Sequence, residues 1–78
     1  MKLIALNLPR DLDEQALAEL FKAYGNIKDC TLVVNEDSGK SKGFGFVEMA
    51  LTHEGEIAIE ELHGSRVGKN RIRVKQAE

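Results

Sequence analysis

The sequence predicts an α+β fold in which two helices cover one face of a four-stranded antiparallel sheet. Short apolar stretches of period two alternate with two segments whose apolar residues recur every three or four positions, and turn residues separate them. These features give the chain order β-α-β-β-α-β. With 78 residues, the chain is expected to form one domain over residues 1–78.

The first strand and the first helix follow from the pattern of residues 2–25. Residues 2–7 resemble a buried central strand that Asn7-Leu8-Pro9 ends. Gly25 is expected just past the end of the helix. The helix has an apolar face formed by Leu12, Leu17, Leu20, Phe21 and Tyr24.

Two N-caps are compatible with the first helix. Asp13 is preferred, because Leu12 and Leu17 then occupy the two positions of a hydrophobic staple. Asp11 with Glu14 forms a competing capping box. The sequence does not distinguish between them.

The next two strands flank a polar turn. Residues 27–34 are predicted to form a strand, with core positions at Ile27, Cys30 and Leu32. Residues 35–41 have the composition of a turn. They lead into a third strand over residues 42–49.

The second helix and the last strand complete the order. Thr52 is the expected N-cap of a helix that ends at Gly64. Its core positions are Ala58, Ile59 and Leu62. After a turn at residues 67–68, residues 71–75 alternate as a final strand. Gly55 and Ile57 depart from the pattern of this helix, which indicates either a small apolar patch for a partner on the helical side or a locally shifted helix.

This element order is typical of the split βαβ, ferredoxin-like sandwich. Right-handed crossovers place the first and third strands side by side in the middle of the sheet. The third strand is therefore central, and its outward side chains lie on the face that the helices leave open.

Residues 42–49 carry the most informative pattern. One set of alternating side chains is small or aliphatic and suits packing against helices: Gly43, Gly45, Val47 and Met49. The other set places two rings beside a cation: Lys42, Phe44, Phe46 and Glu48. Exposed rings beside a cation suit single-stranded nucleic acid, whose bases stack on rings and whose phosphates meet cations. Glu48 could accept a hydrogen bond from a base edge or pair with a neighbouring Arg, and the salt bridge is the favoured expectation.

The distribution of charged residues along the sequence is more informative about a ligand than the net charge. A net charge of −2 and a pI of about 5.7 argue against nucleic acid when taken alone. Most acidic residues, however, fall in or beside the two predicted helices. The last stretch is basic, with Arg66, Lys69, Arg71, Arg73 and Lys75. An acidic helical side and a basic sheet side would steer anions to the sheet.

The whole chain resembles the RNA recognition motif (RRM) family, in particular its compact single-domain bacterial members. Residues 42–49 match the family's octapeptide in seven of eight places, with Met49 at a usually aromatic, core-facing position. The family's hexapeptide has its counterpart in residues 3–8. The resemblance implies a module that binds single-stranded RNA.

Site residues carry over from the resemblance by position. Phe44 and Phe46 would contact bases and riboses, and Lys42 would approach a phosphate. Ile4 replaces a third stacking ring, and Leu6 replaces a usually small or polar residue, so weaker binding is expected. From their alternation with core residues, Arg71, Arg73 and Lys75 are expected on the same open face. Asn7 is expected to stabilise the turn after the first strand.

Other functions are less well supported. Single-stranded DNA is an alternative ligand, and the apolar open face suggests a protein partner or a weak homodimer as a second hypothesis. No enzymatic activity, cofactor or metal is expected, because no acid–base pair or metal-ligand spacing converges. No apolar stretch approaches the roughly 20 residues of a membrane span. The single Cys30 is compatible with a cytosolic or nuclear location, of which the cytoplasmic one is predicted.

Overall fold

The computed structural model describes residues 1–77. Its elements are β1 (Lys2–Leu6), α1 (Glu14–Lys22), β2 (Ile27–Val34), β3 (Ser41–Met49), α2 (Thr52–Leu62), β4 (Arg66–Val67), β5 (Asn70–Arg71) and β6 (Arg73–Gln76). The main sheet is antiparallel with the order β2-β3-β1-β6, and β4 and β5 form a separate two-stranded hairpin. The predicted α+β, ferredoxin-like βαββαβ architecture with β1 and β3 in the middle is confirmed.

The predicted last strand is wrong at its beginning. Arg71 lies in β5, and the sheet strand begins only at Arg73. The residue between them, Ile72, bonds elsewhere: its N–H donates to the Ser65 carbonyl at 2.9 Å, and its carbonyl accepts from Gly64 N–H at 2.8 Å. These bonds turn the chain at Ile72, which an alternating sequence does not reveal.

The N-cap of α1 is Asp13, as preferred from the sequence. Its carboxylate accepts a hydrogen bond from the Ala16 N–H at 2.8 Å and satisfies a donor of the first turn. Glu14 has another role, because its carboxylate accepts from the Leu32 N–H at 2.9 Å and so ties α1 to β2. Gly25 lies two residues after the C-cap, Ala23.

The ends of α2 confirm one prediction and correct another. Leu51, not Thr52, is the N-cap, because the Glu54 carboxylate accepts the Leu51 N–H at 3.3 Å and fixes that residue before the first turn. Thr52 is the first helical residue. At the other end, Gly64 follows the C-cap His63 with a φ of 81°, a conformation that favours glycine.

The core lies between the inner face of the sheet and the two helices. Its buried side chains are Leu3, Ala5, Leu8, Leu17, Phe21, Leu32, Val47, Met49, Ala58, Leu62, Ile72 and Val74. The remaining predicted core residues pack against it while partly exposed: Leu12, Leu20, Tyr24, Ile27, Cys30 and Ile59. Met49 faces the core as expected.

Gly45 allows α1 to approach the sheet closely. A Cβ at this position would lie 2.7 Å from the Thr31 carbonyl oxygen and 2.8 Å from the Leu17 side chain. Neither distance is sterically acceptable. The second glycine of the octapeptide therefore serves packing on the helical side.

Gly55 and Ile57, the two residues that depart from the apolar pattern of α2, have different environments. Gly55 is buried beneath the Met1 side chain, whose sulfur would lie 2.6 Å from an added Cβ. Because Gly55 has no side chain, the Met1 side chain can pack directly against α2. Ile57 points outward and is 45% exposed.

Cys30 is a half-buried thiol next to acidic groups. Burial raises its pKa, and the negative charges of Glu14 and Asp29 raise it further. The thiol therefore stays protonated at neutral pH.

We expect Gly45→Ala to lower the free energy of unfolding by about 1–3 kcal/mol, because the added methyl group meets backbone as well as a packed side chain. Gly55→Ala is the comparison and should cost less, since the nearest atoms to its added Cβ belong to the Met1 side chain and not to backbone, and alanine improves helix propensity. Urea unfolding measures both. Equal effects would contradict the close approach of α1 at Gly45.

Candidate nucleic-acid interface

The strand register brings most of the predicted residues together on the open face. Cross-strand partners in an antiparallel sheet share a face. One row across the sheet contains Phe44, Leu6 and Arg73. The next contains Thr31, Phe46, Ile4 and Lys75. The two rings thus border the two aliphatic side chains, with two cations on the outer strand β6.

Phe44 and Phe46 form one aromatic pair. Their ring centroids are 6.2 Å apart, and the ring planes are inclined at 81°. Both are half-buried, in the middle of the sheet on the face opposite the helices. Because the planes are nearly perpendicular, the two rings present differently oriented surfaces to a ligand, and a flat base can stack on only one at a time.

Lys2 belongs to the open face although it was not singled out from the sequence. Its ammonium nitrogen lies 5.3 Å from the centroid of the Phe46 ring, within cation–π distance. The signal was present, since Lys2 precedes Ile4 and Leu6 at the strand period of two. A base that stacks on the same side of Phe46 must share the ring with this ammonium group or displace it.

The salt bridge expected at Glu48 is not formed. The ion pair found in residues 1–77 joins Lys22 and Glu19 on α1 instead. Glu48 lies opposite Lys2 on β1, whereas the nearest arginine strand, β6, is one strand further away. The strand order therefore separates Glu48 from the arginines, which sequence alternation alone could not show.

The predicted basic residues divide into two groups. Arg73 and Lys75 lie on β6 beside the aliphatic pair, and Lys42 lies two residues before Phe44. Arg71 lies in the hairpin, outside the four-stranded sheet, where its guanidinium donates to the Gly64 carbonyl at 3.1 Å. The structure thus does not place Arg71 in either row.

Asn7 fixes the hairpin to the end of β1. Its side-chain amide donates to the Arg71 carbonyl at 2.8 Å, and the amide of Asn70 donates to the Asn7 carbonyl at 3.1 Å. Asn7 has a φ of 59°, which asparagine tolerates better than most residues. Its predicted role in the turn after β1 is confirmed.

The open face continues into a cleft of about 530 Å³ at the end of the sheet that carries Phe44. The cleft is lined by Leu6, Asn7, Leu8, Arg10, Lys42, Gly43, Phe44, Asn70 and Arg73. Sequence reasoning did not assign Arg10 and Asn70 to a binding surface. Arg10 comes from the loop after β1 and Asn70 from β5 of the hairpin, and a linear motif does not show that the fold brings them together.

Two other features are absent from residues 1–77, a metal-binding cluster and a membrane-spanning helix. These residues contain no cluster of three or more His, Cys, Asp or Glu side chains that could hold a metal ion. Within the same range, no helix has the length and apolar character needed to cross a membrane.

Comparison with known families agrees with this geometry. The RNA recognition motif family matches residues 6–73. The chain belongs to this family. The match begins at Leu6 and includes both Phe rings and all of α1 and α2, whereas Ile4 lies just before it.

Similar proteins include two chloroplast proteins of plants. RNA-binding protein CP31B of Arabidopsis thaliana is 41% identical over 76 residues, which are 97% of this chain and 26% of that protein. The 29 kDa ribonucleoprotein B of Nicotiana sylvestris is 43% identical over 72 residues, which are 92% of this chain and 25% of that protein. The chain thus spans about a quarter of each relative. The cytoplasmic location stays a prediction.

Solved RRM structures superpose closely on this chain. The Sex-lethal protein in an RNA complex has a TM-score of 0.95 and 32% identity, covering 99% of this chain and 46% of that one. The RNA-binding protein PG1 also has a TM-score of 0.95 and 32% identity, covering 99% of this chain and 93% of that one.

We expect Asn7→Gly and Asn7→Ala to separate the two contributions of Asn7. Glycine loses the bond to Arg71, which costs about 0.5–1.5 kcal/mol of unfolding free energy, but accepts the positive φ. Alanine loses the same bond and adds about 1–2 kcal/mol of backbone strain. Urea unfolding of both variants checks this, and an alanine variant as stable as the glycine variant would contradict it.

Proposed function

We propose that this chain binds single-stranded RNA on its open sheet face. The observation that carries the proposal is the pair Phe44 and Phe46, which lies in the middle of a sheet whose other face is covered by both helices. Buried rings would need no ligand, whereas half-exposed rings on a flat sheet offer stacking surfaces. Bases of a single strand are free to use them.

The charges around the rings support a ligand with phosphates. Lys42, Arg73 and Lys75 surround the apolar centre of the open face, although the whole chain carries a net charge of −2. Such a local excess of cations attracts a polyanion and makes its binding sensitive to salt. We expect log K to fall with log salt concentration at about −0.7 per neutralised phosphate.

RNA is favoured over DNA by similarity. The relatives named above are described as RNA-binding or ribonucleoproteins, and one superposed structure is an RNA complex. The preference is tested by measuring a single-stranded DNA of the same sequence in parallel. Equal affinity for both would limit the proposal to single-stranded nucleic acid in general.

The composition of the open face sets an upper limit on affinity. Ile4 and Leu6 offer aliphatic contact without a π face, and Lys2 already covers part of Phe46. Each base–ring stack contributes about 1–3 kcal/mol. A single domain with two rings should therefore bind a few nucleotides with modest affinity, and it should act without catalysis.

We expect the double variant Phe44→Leu/Phe46→Leu to bind a short randomised RNA pool at least about tenfold more weakly than wild type. Leucine keeps an apolar side chain and removes the ring, so the loss reports stacking. Ile57→Ala is the matched control, because it shortens an exposed apolar side chain on α2, away from the open face. Fluorescence anisotropy with labelled RNA measures all three proteins.

Two outcomes would contradict the stacking proposal. The first is a folded double variant that binds RNA as tightly as wild type. The second is a stable dimer in sedimentation velocity that RNA does not dissociate and that leaves RNA unbound. In that case, the open face would serve a protein partner.

We also expect Ile4→Phe to raise RNA affinity by about fivefold or more, since it adds a stacking ring next to Phe46. Ile4→Leu is the control, because it changes the shape of the aliphatic side chain without adding a ring. The same anisotropy titration measures both variants. Unchanged or weaker binding by the phenylalanine variant would show that the aliphatic side chain has a role of its own.

A further inference from the structure

The cleft next to Phe44 is a positively charged concave surface. Three cationic side chains line it, Arg10, Lys42 and Arg73, and no acidic side chain of the described residues does. Its apolar lining comes from Leu6, Leu8 and Phe44, and its amide groups from Asn7 and Asn70. Local charge of this kind in a chain of net negative charge points to an anionic ligand.

Arg10 is held in place at the edge of this cleft. One of its guanidinium nitrogens, Nη1, donates to the Ser41 carbonyl at 3.4 Å. Its Nε would lie only 2.9 Å from a Cβ on Gly43, a residue whose φ is 83°. Gly43 therefore leaves the space across which the Arg10 side chain extends. A guanidinium group has five N–H donors, so most remain free for a ligand.

The three cations surround one row of the open face. Arg73 is the cross-strand partner of Leu6, which in turn pairs with Phe44. Lys42 precedes Phe44 by two residues on β3, and Arg10 approaches from the loop after β1. A nucleotide whose base rests on Phe44 thus has its backbone among these cations.

The opposite end of the open face has a different charge. Glu48 lies there between Asp29 on β2 and Lys2 on β1. The carboxylates of Asp29 and Glu48 make this end less favourable for a phosphate than the cleft, which no acidic side chain of the described residues lines. The charge asymmetry indicates that the backbone of a bound strand leaves the sheet over the Phe44 end.

We propose that Arg10, together with Lys42 and Arg73, holds one backbone phosphate of the bound RNA in this cleft. This inference rests on the proposed function and extends it, because Arg10 lies outside both sequence signatures of the family. Arginine suits the task, since its planar fork can make two parallel hydrogen bonds to phosphate.

The first test replaces the charge at position 10. Arg10→Gln should bind a short RNA about fivefold more weakly than wild type and reduce the salt slope by about 0.7. Lys22→Gln removes one charge from exposed α1 and should change neither quantity. Arg10→Lys keeps the charge and should restore the slope. Equal effects of Arg10→Gln and Lys22→Gln would overturn the proposal.

The second test locates the phosphate with a double-mutant cycle. A neutral methylphosphonate is placed at each linkage of the RNA in turn, and each RNA is titrated into wild type and Arg10→Gln. At one linkage, neutralisation should weaken wild type but leave Arg10→Gln nearly unchanged, which is the signature of direct coupling. Additive losses at every linkage would overturn the role of Arg10.

These outcomes separate the two proposals. Suppose that wild type binds RNA and that the Phe44→Leu/Phe46→Leu variant binds it more weakly, but that the losses in the double-mutant cycle add at every linkage. Then only the phosphate site of Arg10 is wrong. If the ring variant binds as wild type does, the stacking function is wrong whatever Arg10 does.

Discussion

The pairing of β1 with β3 determines both faces of the sheet. In its register, Ile4 lies opposite Phe46 and Leu6 opposite Phe44, while Leu3 and Ala5 lie opposite Val47 and Gly45. A shift by one residue would turn every side chain of β1 to the other face. Leu3 and Ala5 are fully buried, so such a shift would expose core residues and bury Lys2. Burial of Leu3 and Ala5 thus fixes the register that places Ile4 and Leu6 beside the two Phe rings on the open face.

The octapeptide serves both sides of the sheet at once. Its glycines admit neighbours that a side chain would exclude, with Leu17 of α1 against Gly45 and the Arg10 side chain across Gly43. Its two rings lie on the face that the helices leave free. The packing of the helices and the exposure of the aromatic pair therefore depend on the same strand. A substitution at Gly45 would affect helix packing, and one at Gly43 the position of the Arg10 side chain, with both Phe rings unchanged.

Much of this could be predicted from the sequence, because periodicity and caps are local. The strand period identified both faces of β3, and the staple argument favoured Asp13, the observed cap of α1, without excluding Asp11. The hairpin at residues 66–71 could not be predicted, since Ile72 is diverted by bonds to Gly64 and Ser65. Arg10 reaches the cleft from the loop after β1 and Asn70 from the hairpin. The contact of Lys2 with the Phe46 ring follows only from the pairing of β1 with β3.

If RNA lies on the open face across Phe44 and Phe46, an NMR titration will show it residue by residue. Assigned spectra are recorded while a short single-stranded RNA is added to the isotope-labelled protein. The largest shifts are expected at Phe44, Phe46, Ile4 and Leu6, with α1 and α2 almost unchanged. Shifts concentrated on the helices, with the four open-face residues unaffected, would contradict this placement of the RNA.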